Sequence, residues 1–413
     1  MQPNQAIRSK EELINHFGAS QKLEMSNLQK MKYFLKMDVQ PEVWEDASKR
    51  NLLSFSQEFV QGTKEFTFNY GEIKNIYIIS FLTNLTELNL QENQISDISA
   101  ISKLKNLKKL YFGSNRIEDI SALQHLPDLI HLYLSNNKLT FYTLTLPSLI
   151  KLSLYGNPLQ DKSGLQHSPK LERLNLSGTE TTDLHTIPPQ LFGLKELDLF
   201  ENNLTEISHL SNFIDLQFLD LGCNNQLQNI GHLQFCTQLT ELNIIQTNVA
   251  DIWPLQFMKN LKTLNMANTQ VVDLHPLQNS YKLEQIYAYD ACIMDVSPLS
   301  KLTKLDSLDF RNNQIINVDT TLTHHKNFSQ YNFSNQKVST ADEIKFYNKI
   351  LKVHSSHQQI RKIQNEKCVC KFRTSLASKK NYVSAMLNNQ IMMMNKELNL
   401  FMQFIHNSNT YLD

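Results

Sequence analysis

The chain has 413 residues, with 40 basic and 40 acidic side chains and a formal net charge of zero. A neutral balance argues against a nucleic-acid-binding module, which carries a basic excess. The 10 glycines contain no G-x-G, which excludes the glycine-rich loops that cradle nucleotide phosphates. The abundant types are leucine and asparagine: 60 Leu, 47 of them between Leu82 and Leu308, and 42 Asn. Such a bias points to internal repeats.

Residues 1–62 read as helical. Ser9 and Glu12 form a capping box. Leu28, Met31 and Leu35 fall on one face of a following segment. Pro41 suits a first helical position, with Trp44, Leu52, Leu53 and Phe59 after it. The expected role is a helical cap over the open apolar end of the repeats. The opening residues MQPNQAIRSKEELINHF have no apolar core of a leader peptide. No run of about 18 apolar residues occurs, so no spanning helix is expected.

Residues 63–339 repeat. Aligned on L-x-x-L-x-L-x-x-N, units start at Leu85, Leu107, Leu129, Leu149, Leu171, Leu194, Leu216, Leu239, Leu261, Leu283 and Leu305, at steps of 20 to 23 residues. A degenerate unit precedes them (Phe66, Phe68, Ile73, Ile76, Ile79) and another follows (Phe328, Tyr331, Phe333, Val338), giving about 13 units. Leu88 and Leu90, two apart, point to one face of a short strand. Ile95, Ile98 and Ile101 recur every third residue, the period of a 3₁₀ return. One unit cannot bury both faces alone, whereas a stack buries a continuous Leu/Ile core. The expected fold is therefore an α/β solenoid, curved, with a parallel sheet on its concave side. The ninth-position Asn (Asn93, Asn115, Asn137, Asn157, Asn202, Asn224, Asn313) turns the chain inward and satisfies backbone groups that would otherwise be buried unpaired. Thr179, Thr247 and Thr269 do this in part, and Ala291 does not, so a weaker ladder is expected there.

Residues 340–413 leave the repeat. Thr340 and Glu343 make a capping box, and Val383, Leu387, Ile391, Met394, Leu398, Phe401 and Ile405 approach a heptad seam. This helical tail carries 11 basic and 5 acidic residues. It is expected to pack on itself and the last repeat, with self-association through a coiled coil as the alternative.

Chemistry-bearing clusters are few. Cys368 and Cys370, with His354 and His357 upstream, are the only close thiol pair, and their spacing fits no standard zinc site. His324-His325 reads as a solvated turn. No nucleophile–base pattern is evident, so neither enzyme activity nor a cofactor or metal is expected. The five cysteines are odd in number and irregularly spaced, which suits reduced thiols in a cytoplasmic or nuclear protein.

Candidate function rests on the concave face, where the third, fifth and seventh residues of each unit point outward. Lys109, His131, Lys151 and Arg173 form a basic run with Tyr111, Tyr133 and Tyr155 beside it. Glu196, Asp198, Phe200, Glu201, Phe218, Asp220 and Glu241 form an acidic–aromatic run. Tyr287, Tyr289, Asp290, Asp309 and Arg311 lie further along. Aromatics ringed by charge are the usual makeup of a protein-binding hot spot.

The stretches QENQISDISAISKLKNLKKLYF and DVSPLSKLTKLDSLDFRNN resemble 22-residue leucine-rich repeats, the type found in the regulatory subunit of type 1 protein phosphatase and in bacterial internalins. The resemblance covers about residues 63–339. It implies a protein partner gripped on the concave face, with the phosphatase catalytic subunit the most concrete one. An internalin-like adhesin and an oligomerising scaffold are the rivals.

Overall fold

A computed structural model describes residues 26–36, 43, 55–315, 322, 325–327 and 331–336. The Ser9–Glu12 box, Pro41, Trp44, Leu52, Leu53, Phe328, Val338 and all features expected of residues 340–413 lie outside the described residues.

Twelve three-residue strands, from β1 (Glu65–Thr67) to β12 (Ser307–Asp309), form one parallel sheet in strict sequence order. Each unit places its strand one rung along. Leu88 stands opposite Leu110, Leu110 opposite Leu132, and Leu132 opposite Leu152. A bridge between Asp309 and Asn332 adds a thirteenth rung. The central residue of every strand is buried, while its two neighbours are half-buried or exposed, apart from the buried Ser153. This alternation follows from the two-residue period of a strand.

After each strand the chain turns through a left-handed residue. Glu92, Ser114, Asn136, Glu201 and Cys223 have φ between 52° and 56°. That conformation is unfavourable for side chains other than glycine. The ninth-position asparagine offsets it with buried hydrogen bonds. Asn115 donates to Leu90 O at 2.9 Å and Phe112 O at 3.1 Å, and accepts from Ile95 N at 3.0 Å. Asn93, Asn137, Asn157, Asn202, Asn224 and Asn313 make equivalent bonds across units. Thr247 and Thr269 reach only a carbonyl of their own turn, Ile244 O and Met266 O. Gln336 restores the full pattern, accepting from Ile315 N and donating to Phe310 O and Phe333 O. The ladder therefore lapses across three successive units, at Thr247, Thr269 and Ala291.

Short 3₁₀ returns such as Ser99–Lys103 and Ser121–His125 carry the chain back on the other side. An acidic residue two positions ahead caps many of them. Asp97 accepts from Ser99 N at 2.8 Å, and Asp295 from Ser297 N at 2.8 Å. The unit starting at Leu129 is two residues short, and its backbone closes on the next return. A Cβ on Gly164 would stand 2.6 Å from Leu144 N, so only glycine fits there.

A helix at Asn27–Leu35 covers the first turns, opened by a capping box between Ser26 and Gln29. Its buried residues are Met31, Phe34 and Leu35, joined to the solenoid core. Leu28, expected on that face, is instead exposed at 45%. The i, i+3, i+4 stripe starts one turn later and recruits Phe34. His325 also departs from expectation. It is buried, with Nε2 3.0 Å from Ser300 O and Nδ1 3.2 Å from the Tyr331 hydroxyl, so both ring nitrogens find partners within the stack. No described helix is long and apolar enough to cross a membrane.

Candidate protein-binding face

Strand register lines up the outward side chains as columns. The first strand position reads Glu65, Glu87, Lys109, His131, Lys151, Arg173, Glu196, Phe218 and Glu241 in adjacent rungs. The sheet thus brings the expected basic run and acidic–aromatic run side by side.

The basic run is closed at both ends by ion pairs. Lys109 Nζ lies 2.8 Å from Glu87 Oε2, and Arg173 Nε lies 3.1 Å from Glu196 Oε1. Lys151, between them, makes no ion pair among the described residues. Partial burial, reinforced by Lys151 and Lys109, lowers the His131 pKa and so disfavours its charged form. Tyr111 and Tyr133 stack at 4.9 Å with an interplanar angle of 8°. Of the seven aromatics expected to be exposed, only Tyr155 is (37%). Tyr111, Tyr133, Phe200, Phe218, Tyr287 and Tyr289 are half-buried, because a strand spacing of about 4.8 Å packs each side chain against those of the next rung.

The acidic–aromatic run centres on β7 (Glu196–Asp198), β8 (Phe218–Asp220) and β9 (Glu241–Asn243). In these units the fifth-position side chain accepts a hydrogen bond from the backbone two residues on. Asp198 takes Phe200 N at 3.0 Å and Asp220 takes Gly222 N at 2.8 Å. Asn175, Asn243 and Asn265 make the same bond with an amide oxygen. A carboxylate is therefore not needed for this turn. Its second oxygen is held by a neighbouring amide, Asn175 Nδ2 on Asp198 and Asn243 Nδ2 on Asp220, both at 2.9 Å. Burial raises the Asp198 pKa, and burial aided by the adjacent Asp198 charge pushes Asp220 up to about 6. Two carboxyl groups kept at a cost, where asparagine serves elsewhere, mark this as the candidate contact point.

Apolar groups frame them. A Cβ on Gly222 would lie 2.7 Å from the Ile245 side chain and 2.9 Å from that of Phe200, so both side chains close over the bare glycine. Ile245 and Gly222 were absent from the expected site, although both occupy the seventh position of their units. Cys223 sits on the rim, its thiol pKa raised by burial and by Glu201 and Asp220. Further along, Arg311 pairs with Asp309 at 2.7 Å and lies 5.4 Å from the Tyr289 ring centre, which removes it from the free cations of the face.

On the opposite side, Asp183, His185 and Glu206 bring ligand atoms within 4.8 Å of one another. Asp183 and Glu206 are spent on capping their own returns, at His185 N and Ser208 N.

These features define a leucine-rich-repeat solenoid, a class whose curved sheets serve as extended binding surfaces. A family model for two copies of the leucine-rich repeat matches residues 83–125 and 105–146. The structure resembles that of internalin F from Listeria monocytogenes, with 29% identity and a TM-score of 0.66 over 73% of this chain and 89% of that one. It also resembles a leucine-rich-repeat protein of Leptospira interrogans, at 24% identity and a TM-score of 0.62 over 70% and 77% of the two chains. The functional domain of the Listeria monocytogenes internalin J matches at 22% identity and a TM-score of 0.54, over 69% of this chain and 66% of that one. The last two likenesses concern the fold alone. No curated protein matches the sequence.

Proposed function

We propose that this chain is a non-enzymatic binding subunit or scaffold that grips a protein partner on its concave face, with the acidic–aromatic patch of β7 to β9 as the energetic centre. The observation that carries this is the pair Asp198 and Asp220, destabilised carboxylates beside Phe200, Phe218 and Ile245. Half-buried aromatics next to acids favour a partner that presents Arg or Lys on an apolar segment. The resemblance of the repeats to the regulatory subunit of type 1 phosphatase supports that phosphatase as the partner. Cys223 and Cys236, neither of them joined in a disulfide, support a reducing compartment. The likeness to internalin F supports a second reading, a surface adhesin.

Affinity purification from the native cell tests the surface. The wild-type chain is compared with Phe218→Ala combined with Glu241→Ala; Glu196 is spared because it pairs with Arg173. The double variant is expected to lose its principal partner. Retention of every partner removes the patch from the account.

A further inference from the structure

The face that binds a partner also has a complementary segment within its own chain. The structure's concave face is divided in charge. Beyond Arg173 it presents Glu201 and Glu241, which make no ion pair among the described residues, together with the half-buried Asp198 and Asp220. Residues 63–339 as a whole carry 21 basic and 27 acidic side chains. The balancing charge is not spread evenly over residues 340–413. The segment 361–380, RKIQNEKCVCKFRTSLASKK, holds 7 basic residues and 1 acidic one, while the rest of that tail holds 4 of each. The segment also carries Ile363, Val369, Phe372 and Leu376, apolar groups of the kind that the Phe200–Ile245 surface would cover.

The distances permit the contact. From β8 to the rung at Asn332 is five steps of the sheet, about 24 Å. The 24 residues from 337 to 360 reach about 36 Å even if wholly helical, and about twice that if extended. A tethered segment of opposite charge then enjoys a high effective concentration at the patch.

We propose that residues 361–380 dock in cis on the acidic–aromatic patch and compete there with an external partner. This rests on the reading of the patch as a peptide-binding surface. The docked chain places Lys and Arg against Glu201, Glu241 and the Asp198–Asp220 pair, and its apolar residues against Phe200, Phe218 and Ile245. The external partner is accordingly a basic, apolar segment of the same chemistry.

The chain contains its own probes. Cys223 lies on the rim of the patch and Cys368 inside the segment, while Cys236 and Cys292 are buried. In the full chain carrying Cys370→Ser, a short bismaleimide should bridge Cys223 to Cys368. Bridging is scored against single labelling at Cys223, which corrects for changes in thiol reactivity. Glu201→Lys with Glu241→Lys should lower that ratio roughly fivefold or more, since attraction becomes repulsion while both thiols remain. About 0.5 M salt should lower it too. Mixing ¹⁵N-labelled and unlabelled chains separates cis from trans. Bridging that ignores charge reversal and salt overturns the proposal, as does its absence. Bridges joining a labelled to an unlabelled chain overturn it in favour of a second copy. Loss of bridging with partner capture still sensitive to Phe218→Ala sinks only the cis contact; insensitivity of capture to Phe218→Ala sinks the binding surface itself.

Discussion

Asp220 keeps a carboxylate where burial disfavours its charge. Its folded pKa stands at about 6, against 3.8 for a free side chain. Between pH 4 and 6 the folded chain holds a proton that the unfolded chain has released, so stability falls as pH rises through this window and the deficit is complete above it. Asp220→Asn keeps the bond from Gly222 N and removes the charge. It also sets its own Nδ2 against Asn243 Nδ2, so that bond is lost, and relative to the wild type it is expected to gain about 1–2 kcal/mol of stability between pH 4 and pH 7, after allowance for partial solvent screening. Denaturant melts at the two pH values check this. Lys162 is a second residue out of pattern. It occupies the buried position held by Ile98, Ile120, Ile207 and Ile230, and its ammonium donates to Leu159 O at 3.0 Å. Burial lowers its pKa. Lys162→Ile should raise stability by about 1–3 kcal/mol in a thermal melt, because it replaces a desolvated charge with apolar burial. Asn115→Ala should do the reverse, at about 3 kcal/mol, by stranding Ile95 N and Leu90 O in the core.

At the scale of the repeat unit, the ladder decides local stability. The amides of Ile95, Ile117 and Ile293 each donate to an asparagine one unit on, at 3.0 Å. The equivalent amides of Val249 and Val271 face Thr269 and Ala291 and receive no side-chain oxygen. Native-state hydrogen exchange should therefore be about tenfold or more faster at Val249 and Val271 than at Ile95 and Ile117. Equal protection would show that core packing alone sets the local opening. Units were legible in the sequence because Leu and Asn recur in a register that only a stacked strand-and-return can use. The thirteenth rung was recognised by Tyr331 and Phe333, but Gln336 was not seen to act as its asparagine, since a longer amide breaks the motif without breaking the hydrogen bonds. Leu28 misled for a different reason. A three-residue periodicity on a short helix does not say where the stripe begins, and Phe34 took the buried place.

At the scale of the whole molecule, the zero net charge conceals a division: an acidic repeat domain, a basic segment at 361–380, and a concave face on which a basic run adjoins an acidic one. The order of those charges was legible, because strand register follows from the repeat alone. Their pairing was not. Nothing in the repeat says that Arg173 reaches Glu196, that Arg311 is taken by Asp309, or that Phe200 and Ile245 both close over Gly222. Those depend on side-chain directions between rungs. They narrow a face of nineteen expected residues to a patch on three strands. The most direct test of that patch is a binding titration of the partner recovered from the native cell against two single variants, Phe218→Ala on the concave face and Phe235→Ala on an exposed return. Phe218→Ala should weaken binding about tenfold or more while Phe235→Ala leaves it unchanged; loss of affinity at Phe235 with none at Phe218 would contradict the concave-face account.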